Sequence, residues 1–394
     1  MTTSEHLPGW QDYLARLSET GCVALQGFHG LSPAELEQEG SRLLFEALAA
    51  GTLGLFLDPL HPDFVPLASS AIPMLGTNPD FIYACARIDG RHTYRLRGTR
   101  GKGLFLVFDI GAGGLGPMDE LGPSVGVLDV DNLQLGANGA FDVLLSGERP
   151  ADWQGDWFKL DVAATTLTAR QAAYDWAQAP EARFAIECVD GPHGVQRLSP
   201  EQIAARLQRL ADYPLRVLGF AATYLQGQRD RGFVNRLERD DWAGRGGIAG
   251  QHYYQCLFRL EAGQALVLET DVPEHARYWN IQINDPLWRT IDWSKRFSSI
   301  NARQAHIDAD GRLCVVIAHD DPGFANWLDT GGYTEGTLML RWMEASSAPR
   351  PSLRLIPLAR LDEAMPPDSP RLTREERGAA LRQRGLAVQL RRRW

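Results

Sequence analysis

The feature that most constrains the fold is a pattern that occurs twice along the 394-residue chain. Residues 143–150 read VLLSGERP and residues 315–322 read VVIAHDDP. In each copy an apolar run typical of a buried strand ends in an acidic turn that is closed by proline. A strand, turn and proline repeated in the same order predict two related modules that share one strand layout.

A polar residue followed by tryptophan comes next in both copies, at residues 156–157 and at Asn326-Trp327. Such a pair suits a corner of a sandwich, where the indole covers the open end and the polar side chain bonds turn amides. Ligand contact by Asn326 and Trp327 is the alternative. Each copy then has a further strand that carries an arginine, Arg170 in the first and Arg341 in the second.

Short alternating or apolar runs separated by turns fill the rest of both regions, which predicts antiparallel strands. We therefore expect a mainly β protein with two related antiparallel β-sandwich or jelly-roll-like modules and flanking and connecting α-helices. The predicted divisions are an N-terminal helical segment and connection (1–75), a first β module (76–195), a helical linker and Gly-rich loop (196–250), a second β module (251–362) and a C-terminal helix (363–394).

Helix starts are marked by capping residues. Ser32-Pro33 and Ser199-Pro200 each offer an N-cap followed by a first-turn proline, and Thr373 with Glu376 forms a capping box. We expect the central helix to be interrupted at Pro214, because proline removes a backbone donor. The C-terminal helix ends in basic residues, and we expect it to dock on the protein, with contact to a membrane surface as the alternative.

Composition limits the partners. The net charge of -9 opposes phosphate neutralisation, so nucleic acid is not an expected partner. Five cysteines lie far apart without a C-x-x-C pair, which is typical of a reduced compartment rather than of a disulfide or zinc scaffold. The first ten residues lack the order of a signal peptide and no apolar run is long enough to span a bilayer. We expect a cytoplasmic protein without a membrane span.

Several motifs resemble the bacterial family called domain of unknown function 1214. They are residues 278–283 (YWNIQI), the turn around His319-Asp320, the Asn326-Trp327 element, and the closing strand at residues 338–342 (LMLRW). The similarity extends over about residues 75–365. It implies an all-β, jelly-roll-like fold that is sometimes paired with a second module, and it carries over no activity and no catalytic residue.

The densest group of functional candidates lies in one strand and the segment after it. Period-two alternation places four polar side chains on one strand face, with aromatic and charged residues just beyond. Amides beside aromatic rings could hold an apolar ligand by a polar handle, or stack on a sugar, whereas the alternative is a solvated sheet face. The candidate ligand-binding residues here are Tyr278, Asn280, Gln282, Asn284, Trp288, Arg289, Asp292 and Trp293.

Five residues are candidates for proton transfer. His319 and Asp320 lie in the acidic turn, His252 and Tyr254 follow the Gly-rich loop, and Asp285 ends the polar strand. Each has a structural alternative, as a turn cap or as part of an edge cluster. No H-x-H or H-E-x-x-H spacing occurs, so we expect no metal.

Two hypotheses follow. The first is a cofactor-independent enzyme of hydrolase or lyase type that acts on a small, largely apolar metabolite at a pocket between the modules. The second is a non-catalytic binding protein for carbohydrate or another small ligand. The sequence contains no G-x-S-x-G elbow and no G-x-G-x-x-G motif after a strand. It therefore gives no support to an α/β-hydrolase fold or to a dinucleotide-binding fold of the α/β class. A small-molecule ligand is the expected partner, and self-association into a homo-oligomer stays open.

Overall fold

The computed structural model describes residues 9–113, 122–177, 181–242, 247 and 250–391. The first eight residues, most of the Gly-rich loop and the last three residues (392–394), on which some expectations rest, lie outside these ranges. The α-helices of the described part are α1 (Trp10–Leu25), α2 (Pro33–Leu55), α3 (Pro200–Asp230), α4 (Leu361–Ala364) and α5 (Arg374–Leu390). None of the helices described combines the length and hydropathy needed to cross a bilayer.

The first module contains a five-stranded sheet and a four-stranded sheet. Its strands are β1 (Val65–Pro66), β2 (Phe81–Arg87), β3 (Tyr94–Thr99), β4 (Phe105–Ala112), β5 (Ser124–Asp129), β6 (Ala140–Ser146), β7 (Asp156–Lys159), β8 (Ala164–Ala172) and β9 (Arg183–Cys188). The larger sheet has the order β1-β2-β8-β4-β5 and the smaller one β7-β6-β3-β9. Pairing is antiparallel except between β6 and β7.

The second module contains the same two kinds of sheet. Its strands are β10 (Glu238–Arg239), β11 (Gln251–Arg259), β12 (Gln264–Asp271), β13 (Ala276–Asn284), β14 (Ser299–Asn301), β15 (Arg312–Ala318), β16 (Trp327–Asp329), β17 (Glu335–Ala345) and β18 (Ser352–Pro357). The orders are β10-β11-β17-β13-β14 and β16-β15-β12-β18, again with one parallel pair, β15 with β16. The strand order of both sheets is therefore the same in the two modules, and each strand of the first module corresponds to the strand of the second whose number is higher by nine.

The repeated Asp/Asn-Trp element has the same structural role in both modules. The Trp327 indole donates to the carbonyl of Ala318 at 3.2 Å, and the Trp157 indole donates to Ser146 Oγ at 2.9 Å. The preceding side chain fixes a distant loop, since Asn326 Oδ1 accepts from the amide of His306 at 2.9 Å. Both tryptophans thus lie at the end of the strand that precedes the turn, which is the corner position that the sequence predicts.

Each module is a sandwich whose two sheets bury alternate residues against each other. In the first module, Leu96 on β3 and Phe108 on β4 belong to one buried cluster. In the second, Leu268 on β12 and Trp342 on β17 do so. The mainly β, two-module architecture predicted from the sequence is confirmed.

The outer faces of the two five-stranded sheets are also buried, because they contact each other. Phe81 and Phe105 of the first module pack against Tyr278 and Met343 of the second. Arg277 on β13 adds an ion pair to Asp131 of the first module at 2.6 Å. Since both faces of each large sheet are covered, polar side chains on the outer faces are removed from water and need partners inside the protein.

Helices cover the open side of the seam between the modules. Capping boxes start α2 at Ser32 and α3 at Ser199, as the sequence predicts. The expected interruption at Pro214 is wrong: α3 continues through it, and Pro214 is buried within the helix. Packing of α3 against α1 and α2 holds the helical path where proline alone would favour a break.

The C-terminal helix docks through arginines more than through its leucines. Arg384 donates to the carbonyl of Trp293 at 2.6 Å and its guanidinium lies 4.4 Å from the centre of the Trp176 ring. Leu386 and Leu390 are exposed. Helix α5 is docked on the protein, as expected. Its contacts come mainly from arginines and not from the leucines of its apolar pattern.

Candidate functional site

A cavity of about 270 Å³ lies between the two large sheets and the helices that cover the seam. β2, β4 and β8 of the first module form one wall, and β11 and β17 of the second form another. Helix α3 contributes Tyr213 and Val217, and the segment before β2 contributes residues 74–78. Its volume lies just below the range of roughly 300–1,000 Å³ that is usual for small-molecule sites.

Equivalent residues of the two modules occupy this cavity wall. On the first sheet Tyr83 lies opposite Arg170 in the β2–β8 register, and on the second Tyr253 lies opposite Arg341 in the β11–β17 register. All four side chains line the cavity. The seam therefore places two tyrosine–arginine pairs, related by the internal repeat, around one cavity.

The two arginines have different partners. Arg170 forms an ion pair with Asp109 on β4 at 2.8 Å. Arg341 instead donates to the amide oxygens of Asn280, at 3.1 Å, and Gln282, at 2.5 Å. Burial works against the charge of Arg170, but Asp109 outweighs that effect and the pKa of the guanidinium lies above its ordinary value.

The rest of the lining is largely apolar and aromatic. Trp288 stacks on Tyr224 of α3 with ring centres 4.3 Å apart and planes 21° apart, and Trp242 lies 5.6 Å from Trp288. Met74 and Val217 belong to the same buried cluster and also line the cavity. Such a wall favours an apolar ligand surface.

Two buried nitrogens of lining residues have no hydrogen-bond partner among the described residues. They are the indole Nε1 of Trp288 and the amide Nε2 of Gln251. Each residue is nearly inaccessible to solvent. Because an unmet buried donor costs free energy, a polar group nearby would stabilise this region.

The polar face of β13, for which the sequence allows a pocket wall or a solvated surface, is neither of these in the structure. Asn280, Gln282 and Asn284 are fully buried. Gln282 Nε2 donates to Gly76 O at 3.2 Å and Asn284 Nδ2 donates to Thr337 at 2.6 Å, so these amides fix the segment that lines the cavity. They lie directly behind the site rather than in it, because β13 is covered by the segment before β2.

Tyr278 belongs to a second polar group within the seam. Its hydroxyl donates to Asp80 Oδ2 at 2.7 Å and lies 2.8 Å from the amide nitrogen of Asn78. Asn301 and Trp176 also donate to Asp80. Burial raises the pKa of Asp80 above its ordinary value, with the hydrogen bonds acting in the opposite sense.

Asp285 and Arg289 form a buried ion pair at 2.7 Å that belongs to the framework. Arg289 also bonds Glu39 of α2 at 2.5 Å, so it fastens the helix to the second module. Burial raises the pKa of Asp285, against the opposing charge of Arg289. Trp288, between them, is the one predicted ligand-binding residue that lines the cavity.

The structure does not bring the predicted proton-transfer residues together. His319 contacts Thr330 at 2.6 Å at the end of β15, and Asp320 beside it is exposed. His252 lies 3.4 Å from Asp241, and Tyr254 points into the core of its own module, where it donates to Ala348 O at 2.8 Å.

The remaining candidates contribute to packing and turns. Trp293 packs against Trp176 under α5, and Asp292 caps a turn through the amide of Ser294 at 3.0 Å. Asn326 and Trp327 occupy the corner described above. Sequence reasoning did not select Tyr83, Asp109, Arg170, Tyr253 and Arg341 as site residues, although the repeat alignment had already paired the two arginines.

One group of side chains outside the seam has metal-ligand types. Ligand atoms of His92, Cys188 and Asp190 lie within 4.8 Å of one another in the first module. Hydrogen bonds already join them, since His92 Nδ1 lies 3.2 Å from Asp190 and the Cys188 thiol donates to the same carboxylate at 3.3 Å. Burial and Asp190 raise the pKa of the thiol to about 11, so the free site holds a protonated cysteine.

Solved structures similar to this chain include the two that follow. An uncharacterised protein from Burkholderia cenocepacia shares 28% identity at a TM-score of 0.82, over 89% of this chain and 97% of that one. The VPA0106 protein from Vibrio parahaemolyticus shares 12% identity at a TM-score of 0.45, over 82% of this chain and 100% of that one. No curated protein matches the chain.

The family comparison identifies the second module. Residues 259–347 match the family described as "Protein of unknown function (DUF1214)", and they run from the end of β11 through β17. The matched region includes the polar strand, the corner element and the closing strand on which the sequence resemblance rests. The match lies within the second module and agrees with the resemblance to the DUF1214 family that the sequence motifs indicate.

Proposed function

We propose that the protein binds a small, largely apolar molecule in the cavity between the two modules. The observation that supports this most is the cavity of about 270 Å³ walled by both large sheets. An apolar surface with a few convergent polar groups is the usual form of a small-molecule site. Here the polar groups come from the equivalent Tyr83–Arg170 and Tyr253–Arg341 pairs, and Trp288 supplies an aromatic wall.

Binding without catalysis is the form of the proposal that the site supports best. His319 and His252 lie outside the cavity, so neither can act on a molecule inside it. Burial raises the pKa of both Tyr83 and Cys85, which keeps these lining groups protonated. Among the described lining residues the carboxylate that could serve a hydrolase or lyase reaction is Asp109, and it is already paired with Arg170.

A thermal-shift series tests the proposal. Fatty acids, fatty alcohols, terpenoids, steroids and sugars would be added to the full chain, and a ligand that binds the native state raises the unfolding midpoint. We expect apolar compounds of small size to raise it and sugars to leave it unchanged. A ligand at about one hundred times its dissociation constant adds roughly 2.7 kcal/mol, which is measurable.

A matched pair of variants on α3 locates the binding. Val217→Phe adds a ring to the cavity wall, whereas Ile203→Phe adds the same ring to the partly exposed side of the helix. We expect the first to abolish the shift and the second to retain it. Equal shifts in both variants would place the ligand elsewhere and contradict the proposal.

A further inference from the structure

Arg341 is a buried cation in the cavity wall whose contacts are neutral. Its side chain is 4% exposed. Besides Asn280 and Gln282, it donates to the carbonyl of Gly76 at 3.3 Å. Within the described ranges no carboxylate lies within ion-pairing distance of it. Neutral oxygens orient a guanidinium, but they leave its charge uncompensated.

The internal repeat shows which group is missing. In the first module Asp109 pairs in register with Thr168, two residues before Arg170 on β8. In the second, Gln282 pairs with Met339, two residues before Arg341 on β17. Gln282 thus takes the position of Asp109. The equivalent arginines therefore have different partners, a carboxylate in the first module and an amide in the second.

A buried charge without a counter-charge is costly in free energy, and an anion brought close to it recovers much of that cost. Guanidinium groups bind carboxylates through parallel hydrogen bonds, and these bonds are stronger than those between neutral groups. Arg341 lies where such an anion can reach it, because it lines the cavity together with the apolar wall.

We infer that the ligand is an amphipathic carboxylate whose head group is bound by Arg341 and whose apolar part lies against the aromatic and aliphatic wall. The inference rests on the ligand cavity proposed above and specifies what that cavity selects. Arg170 does not compete for the head group, since Asp109 neutralises it.

The first test compares two probes of equal chain length with the unmodified protein. Octanoate and 1-octanol share an apolar tail and differ in the charge of the head group. Titration calorimetry at pH 7 should give octanoate a dissociation constant about tenfold to a hundredfold smaller, as expected for hydrogen bonds to a charged group. Equal constants would overturn the inference and leave the cavity proposal standing. Failure of both probes and of every other apolar compound would overturn both.

The second test places a carboxylate in the wall itself. Substitution of Arg341 would also release Gly76 and two amides, so the variants are made at Met339. The Met339 sulfur accepts from Asn284 Nδ2 at 3.4 Å and lies 3.9 Å from Arg341 Nη2. A glutamate at this position has a similar length and would offer Arg341 an internal counter-charge.

Met339→Glu is compared with Met339→Gln, which has the same shape and no charge. We expect the glutamate variant to lose at least tenfold in octanoate affinity relative to the glutamine variant, and to have the higher unfolding midpoint without ligand. Both variants should bind 1-octanol equally. Equal octanoate affinities in the two variants would contradict a head-group role for Arg341. This result would be independent of the comparison between octanoate and 1-octanol.

Discussion

At the scale of single residues, the seam between the modules depends on buried polar groups that satisfy one another. Asp80 illustrates this, because three side chains from three parts of the chain donate to it, those of Trp176, Tyr278 and Asn301. The carboxylate is nevertheless fully enclosed, and its pKa is raised by burial. The folded protein therefore holds the proton of this group more tightly than the unfolded chain does.

This shift predicts how stability depends on pH. Between the ordinary carboxyl pKa of 3.8 and the raised value in the fold, the native state binds more protons than the unfolded chain, so the free energy of unfolding falls as pH rises. Asp80→Asn keeps an oxygen for Trp176 and Asn301 and removes the titration. Urea unfolding at several pH values should show the variant gaining stability relative to the original protein as pH rises. A constant difference between the two would contradict a raised pKa.

The residues of the site were only partly predictable for a physical reason. Alternation along β13 correctly places Asn280, Gln282 and Asn284 on one face, because period two follows from strand geometry. What covers that face depends on residues 74–80, which are about 200 positions away in sequence. Arg170 and Arg341 were visible as a repeated pair, but nothing local shows that their faces meet.

At the scale of secondary-structure elements, α5 is fastened by buried arginines. Arg384 bonds the backbone of Trp293 and Ser299 and stacks on Trp176. Burial lowers the pKa of its guanidinium to about 10, so it is still charged at neutral pH. Arg377, nearer the start of the helix, is also buried and forms an ion pair with Asp321 at 3.0 Å. The helix is thus attached to the protein through two deeply placed cations.

Arg384→Ala tests this attachment. Loss of several hydrogen bonds to buried oxygens and of the aromatic contact should lower the free energy of unfolding by about 2–4 kcal/mol. Arg382→Ala, two residues earlier on the exposed side of the same helix, should change it by less than about 0.5 kcal/mol. Denaturant unfolding measures both, and similar losses in the two variants would contradict the proposed attachment.

The sequence predicts where helices and strands lie along the chain better than it predicts which of them pair or pack together. Helix starts were visible because a capping residue and a first-turn proline or a glutamate act over three residues. The central helix was expected to break at Pro214, yet tertiary packing of α3 outweighs the local cost of proline. The sequence predicts antiparallel strands within each module, but it does not predict the parallel pairs β6–β7 and β15–β16. Alternation of apolar and polar residues does not show in which direction the chain runs after a loop.

At the scale of the whole molecule, two sandwiches of one topology bury their large sheets against each other. Phe105 is buried in this contact, with its ring 5.4 Å from Phe81 and 6.1 Å from Tyr278. Arg277 of the second module lies over the same ring at 5.1 Å. Contacts of this extent predict that the modules unfold together.

Phe105→Ala should uncouple the modules. Removal of a buried ring costs about 3–5 kcal/mol, and this ring contacts Tyr278 and Arg277 of the other module. Scanning calorimetry should show one transition for the original protein and two for the variant. Phe158→Ala, which removes a half-buried ring inside the first module, serves as the control and should lower the midpoint without splitting it. Two transitions in the original protein would contradict the coupling.

A crystal structure of the full chain grown with octanoate tests the ligand cavity most directly. We expect density for one molecule between the two large sheets, with its carboxylate within hydrogen-bond distance of Arg341 and its tail beside Trp288. A cavity without density under saturating octanoate, or a molecule bound only on the outer surface, would contradict the proposed site.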